Sequence, residues 1–369
     1  MGKARKVSHE TVEREPRTLV IGVHTPRLRQ DPSYYFDEFM QLVKTAEITP
    51  TKVINVKLRS IDNALFFTKG KLHEIIDFCS KNNIEAVVVS SLLTSMQERN
   101  LQDTLGCKVF DRAELIIEIF HRAATSAEGR IQVEMAYLEH LKSRLAGRGK
   151  EMAQQEGFVG ARGPGESMKE ELRRYYEEKM RQARKRLKQV ARTREVQRKQ
   201  RLRGGLPMVC LVGYTNAGKS SLLNTLTKSD ILAEDKLFAT LDTTTRELFL
   251  SHEKKVLLSD TVGFISQLPP RLIEAFKSTL DELQYATLLL HVTDISNPAW
   301  RDHIEVVNQT LEELEIKAPV LHVFNKIDMV EEEEREALLV EIKRYEPHVV
   351  TCAHNREGTN SIIEYLYNN

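Results

Sequence analysis

Residues 208–227 read MVCLVGYTNAGKSSLLNTLT. The first five are apolar and suit a short buried strand. They run into Gly213-Tyr214-Thr215-Asn216-Ala217-Gly218-Lys219-Ser220, the pattern G-x-x-x-x-G-K-S, and then into a helical stretch that opens at Ser221. Strand, glycine loop and helix in that order make a cradle for phosphate. Glycine lets the backbone close around phosphoryl oxygens, and the helix N-terminus adds partial positive charge. Lys219 is placed to reach the terminal phosphates, and the Ser220 hydroxyl to hold Mg²⁺. This stretch predicts a doubly wound α/β domain over residues 204–369.

Two further motifs follow in the order such a domain requires. The apolar run 256–258 leads to Asp260-Thr261-Val262-Gly263, 41 residues after Lys219. A carboxylate at that strand end can hold Mg²⁺ through water, and the Gly263 amide can sense a terminal phosphate. The apolar run 320–324 ends in Asn325-Lys326-Ile327-Asp328. The Asp328 carboxylate can accept from both N1–H and the 2-amino group of guanine, a donor pair that adenine lacks. Asn325 then braces the loop, and the Lys326 stem covers the base. At 350–353, the run Val-Thr-Cys352-Ala353 can set a backbone amide on the guanine oxygen. These motifs imply a GTP- and GDP-binding switch that hydrolyses GTP.

Residues 238–246, FATLDTTTR, form the intervening loop. Phe238 and Ala239 are expected to flank the nucleotide. A threonine here completes the Mg²⁺ shell only when a γ-phosphate is present, which makes an order–disorder switch. Thr240 is the first choice, with Thr243, Thr244 and Thr245 as alternatives that spacing does not separate. Lys219, Thr240 and Gly263 are thus the candidate catalytic groups. Where Ras-like proteins place a water-orienting glutamine after D-x-x-G, this chain has Phe264, so slow intrinsic hydrolysis is expected. Asn216 either binds K⁺ beside the phosphates or braces its loop.

Outward from this region the chain is long enough, at 369 residues, for more than one core. Residues 17–125 alternate short β-branched runs with helical patterns, which predicts an α/β unit with a mainly parallel sheet. Residues 1–16 read as a charged leader. Over 126–203, two helical stripes flank a glycine-rich tip (147–166), the pattern of an αα-hairpin. Residues 169–203 hold 15 Lys or Arg against 5 Glu, a local charge of +10, although the whole chain carries only +1. Such one-sided charge points to a polyanionic partner held by phosphate neutralisation. Four scattered cysteines make no zinc pattern, and no apolar run reaches the ~20 residues of a membrane span. A cytoplasmic protein, monomeric and without a membrane span, is the expectation.

The match to a known family goes beyond these motifs. DTVGFIS (260–266), Leu268-Pro269, EAFKSTLDE (274–282), LLHVTD (289–294) and FATLDTTTR resemble the HflX family of translation-factor-related GTPases. So do RGPGE (162–166), KGK (69–71), QERNL (97–101), VFDR (109–112) and residues 128–149. The resemblance implies an N-terminal α/β domain, a helical hairpin and a G domain. It also implies binding to the large ribosomal subunit and dissociation or rescue of stalled or stressed ribosomes. The hairpin tip would then enter ribosomal RNA, with Arg162, Gly163 and Glu166 as its contacts. Thr68, Ser167 to Glu170, and Cys352 depart from the family pattern. A ribosome-assembly GTPase, or an RNA remodeller with ATPase activity in the N-terminal domain, is the competing expectation. That domain shows no second G-x-x-x-x-G-K-[ST].

Overall fold

A computed structural model gives the fold. It describes residues 15–25, 31–145, 164–203, 205–228, 236–241, 243–251, 254–269, 272, 280–354 and 356–369. The leader as far as residue 14, most of the hairpin tip with Arg162 and Gly163, and residues 273–279 lie outside the described residues. Chain contacts divide the protein into two compact units, Met1–Pro32 with Glu47–Arg112, and Ser33–Ala46 with Ala113–Asn369.

In the first unit, β1 (Thr18–His24) is followed in sequence by α1 (Pro32–Thr45) and β2 (Pro50–Lys57). Helix α2 (Lys69–Asn82), β3 (Ala86–Val89), α3 (Ser95–Leu105) and β4 (Lys108–Phe110) complete it. Residues Ser33–Ala46, nearly the whole of α1, have their contacts in the second unit. The four strands make one sheet in the order β2-β1-β3-β4, with every pairing parallel. Continuous apolar runs such as AVVV in β3 suit a sheet buried on both faces. Leu19, Ile21, Val87 and Val89 pack there with Leu72, Ile75 and Leu101 from the helices. Helix α3 starts on a reciprocal capping box. The Thr94 hydroxyl accepts from Gln97 N–H at 3.2 Å, and the Gln97 side chain accepts from Thr94 N–H at 3.0 Å. Lys69-Gly70-Lys71 forms the first turn of α2, where Lys71 pairs with Glu74 at 2.8 Å.

The second unit contains α4 (Arg112–Ala123) from Ala113 onward, then α5 (Ala127–Arg144) and α6 (Pro164–Arg203). The last two are the expected helical pair, joined by Arg186–Glu134 at 2.6 Å and Lys142–Glu177 at 3.4 Å. Met180 and Ala183 are buried, while most of the basic side chains described on α6 face solvent. Helix α6 opens at Pro164, so residues 164–166, expected in the glycine-rich tip, form its first turn. Proline fits the first helical position because its missing N–H has no partner there in any case.

The remaining elements are β5 (Met208–Gly213), α7 (Lys219–Thr227), β6 (Thr244–Phe249), β7 (Lys255–Asp260) and β8 (Leu288–Asp294). They continue with α8 (Trp300–Glu313), β9 (Val320–Asn325), α9 (Glu332–Glu341), β10 (His348–Val350) and α10 (Asn360–Asn368). The sheet order is β10-β9-β8-β5-β7-β6, with only β6 antiparallel. Strand β5 lies between β7 and β8, so the chain order reverses beside it, which is where open α/β sheets bind ligands. Leu211, Leu222, Leu258, Val292 and Val323 form the core under that point. Helix α8 buries Trp300, Ile304, Val307 and Leu311, one face at a spacing of three to four residues.

Candidate nucleotide site

The loop after β5 turns through two residues in the left-handed region, Asn216 (φ 60°) and Gly218 (φ 94°). Both the turn and the packing demand glycine at 218, since a Cβ there would meet Asn325 Nδ2 at 2.2 Å. Asn325 sits at the end of β9 and ties two loops together. Its Nδ2 donates to Ala217 O at 2.9 Å, and its Oδ1 accepts from Ala353 N–H at 3.1 Å. Lys326 Nζ donates to Asn216 O at 2.9 Å and pairs with Asp294 Oδ2 at 2.7 Å. The base-side motif is therefore bolted onto the phosphate loop. Asp328 lies exposed in a short 3₁₀ turn beyond it. The two amides expected near the base both have protein acceptors here, Cys352 N–H on Gly358 O at 3.2 Å and Ala353 N–H on Asn325.

Lys219 is buried, and its Nζ donates to Gly213 O at 3.1 Å and Tyr214 O at 2.7 Å. Burial pulls its ammonium down to about 8; the Asp260 carboxylate works against that shift and Lys326 adds to it. A buried cation beside the single carboxylate of Asp260, among the described residues, is a ready partner for an anion. Asp260 ends β7, and burial raises its carboxyl above the usual range, with Lys219 and the Ser220 hydroxyl pulling the other way. Three oxygens converge there. Ser220 Oγ lies 2.7 Å from Thr240 Oγ1 and 2.7 Å from Asp260 Oδ2. Asp260 Oδ1 is buried with no hydrogen-bond partner among the described residues. Hard oxygen donors gathered at one point, beside a second carboxylate oxygen of Asp260 that has no partner among the described residues, fit Mg²⁺. Geometry thus places Thr240 at this point. Thr244 and Thr245 lie in β6, paired with Asp260 and Ser259 of β7.

An open cleft runs along the loop, lined by Thr215, Asn216, Gly218, Lys219, Ser220 and Ser221. Phe238, Ala239, Thr240, Thr261 and Gly263 line it too, as does Lys236, which the motifs did not single out. Phe238 is itself buried and meets the Phe120 ring edge-on at 4.5 Å. Thr261 Oγ1 donates to Leu211 O at 2.7 Å and Val262 is buried, so these two residues anchor the motif to the sheet. Phe264 is buried and paired by backbone to the phosphate loop.

Sequence motifs missed Asp294, whose carboxylate fixes Lys326, and Glu38 and Ser266, which meet the Tyr214 hydroxyl. Asp294 had a signal, a carboxylate closing the apolar strand β8. Glu38 had none, because it stands 176 residues from its partner.

Comparison with known proteins agrees with this geometry. Residues 208–326 match a family described as 50S ribosome-binding GTPase. Residues 33–121 match a GTP-binding GTPase N-terminal family, and 123–201 a GTP-binding GTPase middle region. A GTPase HflX of Magnetococcus marinus is 43% identical over 362 residues, covering 97% of this chain and 83% of that one. The GTPase HflX of Escherichia coli K12 is 42% identical over 296 residues, 80% of this chain and 70% of its own. A solved SsGBP–GDP complex shares the fold, with TM-score 0.52 at 23% identity, covering 95% of this chain and 98% of that one. With its phosphate loop, its oxygen cluster and relatives of this closeness over most of its length, the chain belongs to the HflX family of GTP-binding, GTP-hydrolysing proteins.

Proposed function

We propose that this GTPase works on the large ribosomal subunit in the cytoplasm, binding it in the GTP state and promoting dissociation or rescue of stalled or stressed ribosomes. One observation carries the reading. Helix α6, which holds the +10 segment, ends at Arg203, and β5, which feeds the phosphate loop, begins at Met208. Only residues 204–207 separate a polyanion-binding arm from the nucleotide switch. Beside that helix runs a groove lined by Lys142, Arg181, Arg184, Lys185 and Lys188, with Glu139 and Glu177. The family description over 208–326 supports the choice of the 50S subunit. Arg162 and Gly163 of the hairpin tip, with Glu166 in the first turn of α6, are assigned the RNA contact.

In this reading Lys219 binds the β- and γ-phosphates, and the Gly263 amide senses the γ-phosphate. Ser220, Thr240 and, through water, Asp260 would hold Mg²⁺, which supplies positive charge to the phosphate oxygens when bound. Asn325, Lys326 and Asp328 read guanine, aided by a backbone amide at 352–353. Phe264 offers attacking water no hydrogen bond, so hydrolysis by the free protein is slow and contact with the ribosome accelerates it. Asn216 either holds K⁺ beside the phosphates or braces its loop, and an equal rate in Na⁺ and K⁺ would remove the K⁺ role.

The test is pelleting with purified large subunits in a non-hydrolysable GTP analogue or GDP, followed by sucrose gradients of whole ribosomes. Analogue-dependent pelleting and loss of the intact-ribosome peak are expected. Association without dissociation would move the protein to subunit assembly, and no association in either nucleotide would end the ribosomal reading.

A further inference from the structure

Tyr214 is the second residue of the phosphate loop, yet its side chain turns to protein. It is buried, and its ring stacks on His303 of α8 with centroids 3.8 Å apart and planes 9° from parallel. Its hydroxyl is the centre of a polar cluster. It donates to the Glu38 carboxylate on α1, lies 2.8 Å from Ser266 Oγ, and accepts Ser266 N–H at 2.7 Å. Helix α1 holds its surroundings twice more. The Tyr35 hydroxyl donates to Gln267 Oε1 at 3.2 Å, and the Tyr34 hydroxyl pairs with His303 Nε2. Three side chains within five residues of one helix thus engage the loop tyrosine, the ring stacked on it, and the segment beyond D-x-x-G.

That segment is folded down on the phosphate loop. Phe264 N–H donates to Gly213 O at 3.1 Å, and Thr215 N–H donates to Phe264 O at 2.8 Å. Gly263 has no room for a side chain, since a Cβ would lie 2.9 Å from Thr215 Cα and 3.0 Å from Lys219 Nζ. The Thr215 amide is engaged with Phe264, and Gly263 rests against the ammonium that a γ-phosphate must reach. A γ-phosphate drawing on Lys219 and the Gly263 amide together has to lift residues 263–266 from the loop. A diphosphate does not.

We propose that Glu38, Tyr214 and Ser266 form a latch through which helix α1 holds the segment after D-x-x-G in a state that accepts GDP and opposes GTP. This rests on the loop being the GTP site. Glu38 acts through Tyr214 and is a positioning residue. In sequence α1 lies between β1 and β2, so displacement of that helix biases which nucleotide is held.

The experiment measures dissociation constants for GDP and a non-hydrolysable GTP analogue on the full chain with Mg²⁺. Glu38→Ala removes the carboxylate that takes the phenol hydrogen bond, and the analogue should bind roughly tenfold more tightly, about the weight of one charge-assisted hydrogen bond. GDP affinity should stay within about twofold. Glu38→Gln keeps an acceptor and should fall near the unaltered chain. Tyr214→Phe should shift the preference as Glu38→Ala does, and the double variant should add nothing; if Glu38→Ala fails to fold, Tyr214→Phe alone decides. An unchanged analogue-to-GDP ratio, or parallel loss of both nucleotides in the Ala and Gln variants alike, would overturn the latch. Failure of the unaltered chain to bind GDP would instead defeat the nucleotide assignment beneath it.

Discussion

Asn325 is the residue on which most of the nucleotide site converges. One side-chain amide holds the phosphate loop through Ala217 O and the last loop through Ala353 N–H. Gly218 leaves it the space to do so. Gly218→Ala would drive a methyl group into Nδ2 and strain a φ of 94°. We expect a loss of about 2–4 kcal/mol, the sum of strain and two buried hydrogen bonds. Calorimetric titration should then show GDP binding weakened at least tenfold, and thermal melts should show a lower midpoint; GDP binding at full strength would argue that the brace is dispensable. Lys219, Ser220, Asp260, Asn325 and Asp328 were legible in sequence as candidates, because motifs for phosphate, metal and guanine each restrict residue type and spacing. Thr240 was legible only as one of four threonines, since choosing among them needs the strand pairing that carries Thr244 and Thr245 into β6. Glu38 and Asp294 were not legible as partners, because tertiary contact alone joins them to Tyr214 and Lys326.

At the scale of elements, helix α6 is long and basic, and charge pairs link it to α5. Glu134 engages Arg186 and Glu177 engages Lys142, so much of the positive charge is left facing solvent. Changing Arg181, Arg184, Lys185 and Lys188 to Gln should weaken large-subunit binding and flatten its log–log salt slope by about 3, roughly 0.7–0.9 for each of the four lost contacts. Pelleting across a salt series reads both, and an unchanged slope would place the RNA contact elsewhere. Strand β8 and helix α8 carry a different liability. Burial pushes His291 down to about 3, with His322 and Lys219 adding to it, and pushes His303 down to about 4. Both are neutral in the fold, whereas the unfolded chain protonates them near the ordinary value of 6.5. Below that pH the unfolded state binds more protons, so stability falls as pH drops from about 6.5 towards 4. The slope should reach about 2.7 kcal/mol per pH unit for the two groups. Urea unfolding between pH 7 and 5 measures it, and His303→Gln should remove about half.

Across the whole molecule, the candidate nucleotide site gathers residues at the ends of β5, β7 and β9, so ligand energy would enter the sheet of the second unit directly. GDP at about a hundred times its dissociation constant should add about 2.7 kcal/mol to that sheet's stability. Hydrogen exchange should read this as slowed amides in β5 and β9, and no slowing there would count against the site. The course of the chain carries one more consequence. It passes between the units after Pro32, after Ala46 and after Arg112. No single truncation therefore isolates either of them. A fragment opened near residue 205 would keep every predicted phosphate ligand yet shed the helix that seats Tyr214, and its nucleotide preference would be that of an enzyme parted from its own brake.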